Sequence, residues 1–167
     1  MATRLAIGLG LALTACGAAS PPLPEDAVIL PGSAAAEMLH QCSRQAPAPG
    51  EGSWTPGAED IARLEAALPA AVRGRAEIGR SHYPSDPDWA RVPQGWQRQY
   101  VGIVRGGRRF IYGNFFPRPS DVASELGTAD WRTRPTSVCD GGAIFFGAEY
   151  DVEAGRFTQL AFNGDLG

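Results

Sequence analysis

The chain has 167 residues, with 15 basic and 18 acidic side chains and a formal net charge of −3 at pH 7. This length suits one folded domain. A mildly acidic chain has no electrostatic attraction for the nucleic-acid backbone, so we expect no nucleic-acid partner. The sequence also lacks a glycine-rich phosphate loop, a serine-centred elbow and a His-Glu zinc helix, and we therefore expect no bound cofactor.

The amino terminus has the pattern of a secretion signal. Arg4 precedes the apolar run Leu5–Leu13, which is too short to span a membrane, because a spanning helix needs roughly 20 apolar residues. The run ends in Leu13-Thr14-Ala15-Cys16, which resembles the lipobox of bacterial lipoprotein precursors. The resemblance covers residues 1–16 only. An ordinary signal peptide with an incidental cysteine is the alternative.

The lipobox resemblance implies that residues 1–15 are removed as a signal peptide and that Cys16 carries diacylglyceryl and acyl groups such as palmitate. Two or three acyl chains would hold the protein on a membrane almost permanently, since each buried methylene contributes about 0.8 kcal/mol. The resemblance places the protein in the bacterial cell envelope, facing the periplasm. Gly17, in place of Asp, slightly favours the outer membrane.

The region after Cys16 divides into a tether and a domain. Residues 16–32 are rich in proline and lack a periodic pattern, which is typical of a stiff, extended tether. The apolar patch Val28–Leu30 within it is a candidate edge strand. We expect residues 33–167 to form a single α+β domain.

Two cysteines, Cys42 and Cys139, remain after lipidation of Cys16. Outside the cytoplasm an even pair predicts a disulfide, which would contribute roughly 4–5 kcal/mol by closing a long loop. Two buried free thiols are the alternative. Neither cysteine has a second ligand at zinc spacing, so the sequence predicts no metal site.

Two helices are predicted in the amino-terminal half of the domain. The first covers residues 34–44, with Ser33 as its cap and with Met38 and Cys42 on its buried face. The second begins after Thr55 as cap and Pro56 at the first helical position. Its apolar stripe contains Ala58, Ile61, Leu64, Leu68 and Val72. Pro69 should end or kink this helix near Leu68.

The carboxyl-terminal half alternates as strands do. Residues 97–116 form two β-rich runs joined by Gly106-Gly107, and residues 143–164 form two more joined by Asp151–Gly155. We therefore predict an α+β fold with amino-terminal helices packed on a four-stranded antiparallel sheet of two hairpins. This arrangement is cystatin-like by analogy only, and the analogy implies no activity.

Two groups of residues are candidate sites. His82, polarised by Asp86 or Asp88, could act as an acid–base pair on a proline-rich loop. The alternative is an exposed loop that covers one end of the sheet.

The second group lies among the strand aromatics and could line a shallow ligand groove: Tyr112, Asn114, Phe116 and Trp131. Alternatively, asparagines such as Asn114 and Asn163 satisfy backbone groups at strand ends.

Three functions remain open on the sequence. The first is a lipid-anchored envelope protein whose non-catalytic domain binds a protein or a small ligand. The second is an envelope hydrolase that uses the His82 loop. The third is a structural protein of envelope assembly. The missing nucleophile–base motif favours the first, so the chain is more consistent with a binding protein than with an enzyme.

Overall fold

A computed structural model describes residues 21–75, 88–118 and 130–164. Within these ranges the fold is α+β, with two α-helices and a six-stranded mixed sheet. The helices are α1 (Ala35–Leu39) and α2 (Ala58–Val72). The strands are β1 (Ala27–Ile29), β2 (Gly52–Trp54), β3 (Trp96–Arg105), β4 (Arg108–Pro117), β5 (Phe146–Asp151) and β6 (Arg156–Phe162). Among these residues no helix has the length and apolar character needed to cross a membrane.

Both predicted hairpins are present. Strands β3 and β4 pair over ten residues each, and Gly106 and Gly107 turn the chain with φ angles of 58° and 70°. Positive φ at both central residues is the type I′ geometry that matches the twist of a hairpin. Strands β5 and β6 form the second hairpin, in which Gly155 has a φ of 65° and the register shifts at Glu149/Tyr150.

The prediction of a four-stranded antiparallel sheet was wrong in strand number and direction. The strand order is β1-β3-β4-β5-β6, and β2 also pairs with β3. Strand β1 runs parallel to β3, with Ala27 opposite Arg98, while β2 is antiparallel to it. Each added strand has three residues, which is too short for an alternating pattern to be recognised in the sequence. The edge-strand expectation for residues 28–30 is met by β1 at residues 27–29.

Helix α2 packs against one face of the sheet. Ile61, Leu64, Leu68 and Val72 are buried in its core, as the apolar stripe predicted. Pro69 was predicted to end or kink the helix near Leu68, and the helix does not end there, because it continues through Pro69 to Val72. Burial of Val72 in the core offsets the cost of a proline inside the helix. The helix begins after Gly57, whose N–H donates to Asp60 Oδ2 at 2.9 Å, and not at Thr55.

Helix α1 is shorter than the predicted span of 34–44. It follows a 3-10 turn over Gly32–Ala34, buries Met38 and ends at Leu39. The predicted Ser33 cap does not form. Gln41 Nε2 donates to the Met38 carbonyl at 2.7 Å. A side chain therefore satisfies this carbonyl at the helix end, where a further helical turn would have supplied a backbone N–H.

Cys42 and Cys139 form a disulfide, as predicted, across a sequence separation of 97. Both residues are exposed, so the prediction that Cys42 faces the core was wrong. The physical reason is that α1 ends before Cys42, and the helical periodicity that pointed this residue inward does not extend to it. The disulfide joins two irregular segments of the chain.

Candidate functional site

The four residues predicted to line a ligand groove are buried. Tyr112, Asn114, Phe116 and Trp131 are exposed by 1 %, 2 %, 1 % and 7 %. Phe116 and Trp131 contact each other edge to face, with ring centroids 6.2 Å apart. The structure brings Phe116 and Trp131 together with Val138 and Phe145, and it places Asn114 against Thr136. Tyr112 packs in a different cluster, with Met38 of α1.

Side-chain amides of the sheet bind the chain that runs from residue 131 to residue 140. Gln99 Nε2 donates to the carbonyls of Trp131 and Arg134 at 2.5 and 2.6 Å. Asn114 Nδ2 donates to the Thr136 carbonyl at 2.8 Å. Asn163 Nδ2 donates to the carbonyls of Val138 and Asp140, both at 2.7 Å. The bound carbonyls at residues 134, 136, 138 and 140 alternate, so we call residues 134–140 the strap.

Arg44 completes this polar layer. Its Nη1 donates to Asn163 Oδ1 at 2.5 Å, and its Nη2 donates to Asn114 Oδ1 at 2.6 Å. A Cβ at Gly147 would lie 2.2 Å from the Tyr112 hydroxyl and 2.9 Å from Arg44 Nε, so only glycine leaves room for the arginine here. The layer joins the strap to the sheet.

Asn114 and Asn163 therefore satisfy backbone groups, which is the alternative that the sequence left open. In this structure the layer binds the protein's own chain. A ligand at Asn114 would have to displace the strap, and the groove predicted from Tyr112, Asn114, Phe116 and Trp131 stays a prediction. Gln99 and Arg44 also belong to this layer, and neither residue was predicted from the sequence.

The residues of the proposed acid–base loop are only partly within the described structure. His82 and Asp86 lie outside it, as does Cys16. Asp88 is described, and its Oδ1 accepts a hydrogen bond from the Ala90 N–H at 3.0 Å, capping a 3-10 turn over Trp89–Arg91. This contact gives Asp88 a local structural role.

An open groove lies between α2 and residues 89–94, and we call it the α2 groove. Its larger part, of about 470 Å³, has one wall from α2 and one from the loop after Trp89. A neighbouring part, of about 250 Å³, shares Pro69 and Ala90 with the first. The lining residues are Ala62, Glu65, Ala66, Pro69, Val72, Arg73 and Gly74 on the helix side, and Trp89, Ala90, Arg91, Val92, Pro93 and Gln94 on the loop side.

Glu65 is the only carboxylate among those lining residues. Its Oε1 accepts hydrogen bonds from Arg98 Nε and from the Tyr100 hydroxyl, both at 2.8 Å. Burial, and then the Glu65 charge, raise the pKa of Tyr100 well above its usual 10.0. Tyr100 therefore stays protonated at physiological pH and acts as a hydrogen-bond donor.

One acceptor of Glu65 lacks a donor from the described residues. It is the side-chain atom Oε2, which accepts no hydrogen bond there although Oε1 accepts two. The Glu65 side chain is 15 % exposed and lines the groove.

Glu65 and Arg98 were missed as site residues, although the sequence carried a signal. Ile61, Glu65, Leu68 and Val72 follow the helical spacing of one face, so a carboxylate occupies a position where an apolar residue is expected. Arg98 lies between Trp96 and Tyr100 at the alternation of a strand and therefore also points inward. A charge at each of two buried positions indicates an ion pair.

The described residues contain no group of three or more histidine, cysteine, aspartate or glutamate side chains that could hold a metal ion. No family model, curated protein or solved structure matches the chain. The cystatin-like analogy therefore gains no support from a related structure.

Proposed function

We propose that this chain is a lipid-anchored protein of the bacterial cell envelope whose domain binds a ligand or a partner protein without catalysing a reaction. It is held through Cys16 on a membrane, with the outer membrane slightly favoured, and the domain faces the periplasm. This proposal joins the lipobox resemblance to the geometry of the domain.

The Cys42–Cys139 disulfide is the observation that carries the proposal. Structural disulfides form and persist in oxidising compartments, of which the periplasm is one. The chain has three cysteines in total, so the disulfide leaves Cys16 as the single thiol available for modification. This partition of the cysteines is what a lipoprotein with one structural disulfide requires.

The start of the domain also suits an anchor at Cys16. Strand β1 begins at Ala27. Just before it, Arg132 Nη2 donates to the Glu25 carbonyl at 2.8 Å and Arg118 pairs with Asp26. Leu23 packs against the core.

Glu65 supports a binding role over an acid–base role for the α2 groove. The carboxylate is paired with Arg98 and accepts from a tyrosine whose pKa is raised. A general acid or base works best with a pKa near the working pH. A protonated tyrosine and an ion-paired carboxylate instead present fixed hydrogen-bonding groups.

Metabolic labelling with a clickable fatty acid tests the anchor. The wild-type chain should carry the label and sediment with membranes. Cys16→Ala should lose the label and leave the membrane fraction. The control is the double variant Cys42→Ala/Cys139→Ala, which removes the other two thiols and should keep the label. An unlabelled wild-type chain that retains residues 1–15 by intact mass would overturn the proposal.

A further inference from the structure

The geometry points to the α2 groove as a binding site for short peptides that carry a free carboxylate. This inference rests on the proposed binding function and names its site and its class of ligand. Three features of the groove carry it: its shape, one unused acceptor of Glu65, and two arginines that have no carboxylate partner in the described part of the chain.

The shape suits an extended chain of a few residues. The groove follows α2 from Ala62 to Arg73, which is roughly 16 Å at 1.5 Å per residue. Its walls carry small or rigid side chains, including Ala62, Ala66 and Pro69. An extended tripeptide or tetrapeptide, at about 3.3 Å per residue, fits this length.

The unused acceptor of Glu65 can accept hydrogen bonds from the N–H groups of a peptide. Glu65 offers Oε2, which accepts no hydrogen bond from the described residues. A peptide supplies an ammonium group and amide N–H groups, and hydrogen bonds to a carboxylate are stronger than those between neutral groups. Glu65 therefore orients the amino-terminal part of the ligand.

The charges of the lining favour an anionic group on the same ligand. Arg98 already neutralises Glu65 through a buried ion pair. Arg91 bonds to Gln94 Oε1 through Nε and Nη2, and neither Arg91 nor Arg73 has a carboxylate partner among the described residues. Within the described ranges, two arginines thus line the groove without a carboxylate partner, and a peptide carboxylate complements them.

Trialanine is the probe. Its binding to the full chain, purified from membranes in a non-ionic detergent, is measured by calorimetry and by the NMR shift of the Trp89 indole N–H. The ligand efficiency of small molecules gives a Kd of roughly 0.3 mM. Trialanine amide, which lacks the carboxylate, should bind about tenfold more weakly or worse. Equal binding of the two probes, or acetate binding as tightly as trialanine, would overturn the inference.

Matched variants locate the site. Ala66→Leu fills the groove from an exposed position and should abolish trialanine binding, whereas Ala70→Leu changes an exposed alanine of α2 outside the lining and should leave it unchanged. Arg91→Gln should weaken the binding of trialanine about tenfold and should change the binding of trialanine amide little. Binding that survives Ala66→Leu contradicts the site.

The two proposals fail separately. Absence of lipid on Cys16 would move the chain to the soluble fraction and leave the peptide results as they are. Absence of trialanine binding in a lipidated chain would contradict the peptide site alone.

Discussion

Removal of the Cys42–Cys139 disulfide should destabilise the domain mainly through its unfolded state. The bond joins residues 97 positions apart. For a loop of about 100 residues, the chain-entropy model gives about 4.7 kcal/mol at 25 °C. The folded geometry should survive in Cys42→Ala/Cys139→Ala, because Asn163 Nδ2 still binds the carbonyls on either side of residue 139. This estimate is an upper value, since a compact unfolded state lowers it.

Urea unfolding followed by circular dichroism measures the effect. The wild-type protein and Cys42→Ala/Cys139→Ala should be compared in the same detergent over the same range of urea concentrations. With a slope of about 2 kcal/mol per molar urea, the midpoint should fall by about 2 M. Reduction of the wild-type disulfide should produce the same shift. A decrease of less than about 1 kcal/mol in the free energy of unfolding, with an unchanged dependence on urea concentration, would refute the view that this bond restricts the unfolded ensemble.

Two further changes test the contacts of the sheet. Tyr100→Phe removes the hydroxyl donor to Glu65 at 2.8 Å and should cost roughly 1.5–3 kcal/mol. Because burial and Glu65 raise the pKa of Tyr100 in the fold, the unfolded tyrosine ionises first as the pH rises above 10.0. Above that pH, the free energy of unfolding of the wild-type protein should therefore fall more steeply than that of Tyr100→Phe, by up to about 1.4 kcal/mol per pH unit. The same pH dependence of this free energy in both proteins, measured by urea unfolding, would contradict the prediction. Gly147→Ala places a Cβ 2.2 Å from the Tyr112 hydroxyl and should cost roughly 1–3 kcal/mol by thermal or urea unfolding. Gly52→Ala is its control, because a Cβ there meets its nearest neighbour at an ordinary 3.7 Å, and equal losses in both variants would exclude the close contact as the cause.

Local patterns predicted the elements that depend on nearby residues. The glycine pair at 106–107 specified the first hairpin, because both positions require positive φ. The apolar spacing of Ile61, Leu64, Leu68 and Val72 gave the buried face of α2. The predicted first helix was longer than the helix observed at residues 35–39. A short periodic pattern does not show where a side chain, here that of Gln41, takes over the hydrogen bond to a helix-end carbonyl.

The candidate site shows the same division. Asn114 and Asn163 were recognised as polar residues among strand aromatics, but their carbonyl partners in the strap are 22 to 25 positions away along the chain. Glu65 and Arg98 are 33 positions apart and belong to different elements. No local pattern relates such positions.

The sequence alone therefore determined the hairpin turns, the buried stripe of α2 and the pairing of Cys42 with Cys139, because each depends on local conformation or on a simple count. The tertiary structure decided that β1 runs parallel to β3, that the strap covers Asn114, and that Glu65 meets Arg98 at an open groove. These outcomes depend on contacts between segments that are far apart in the chain. Such contacts form only when the sheet is assembled, so no local sequence pattern shows them.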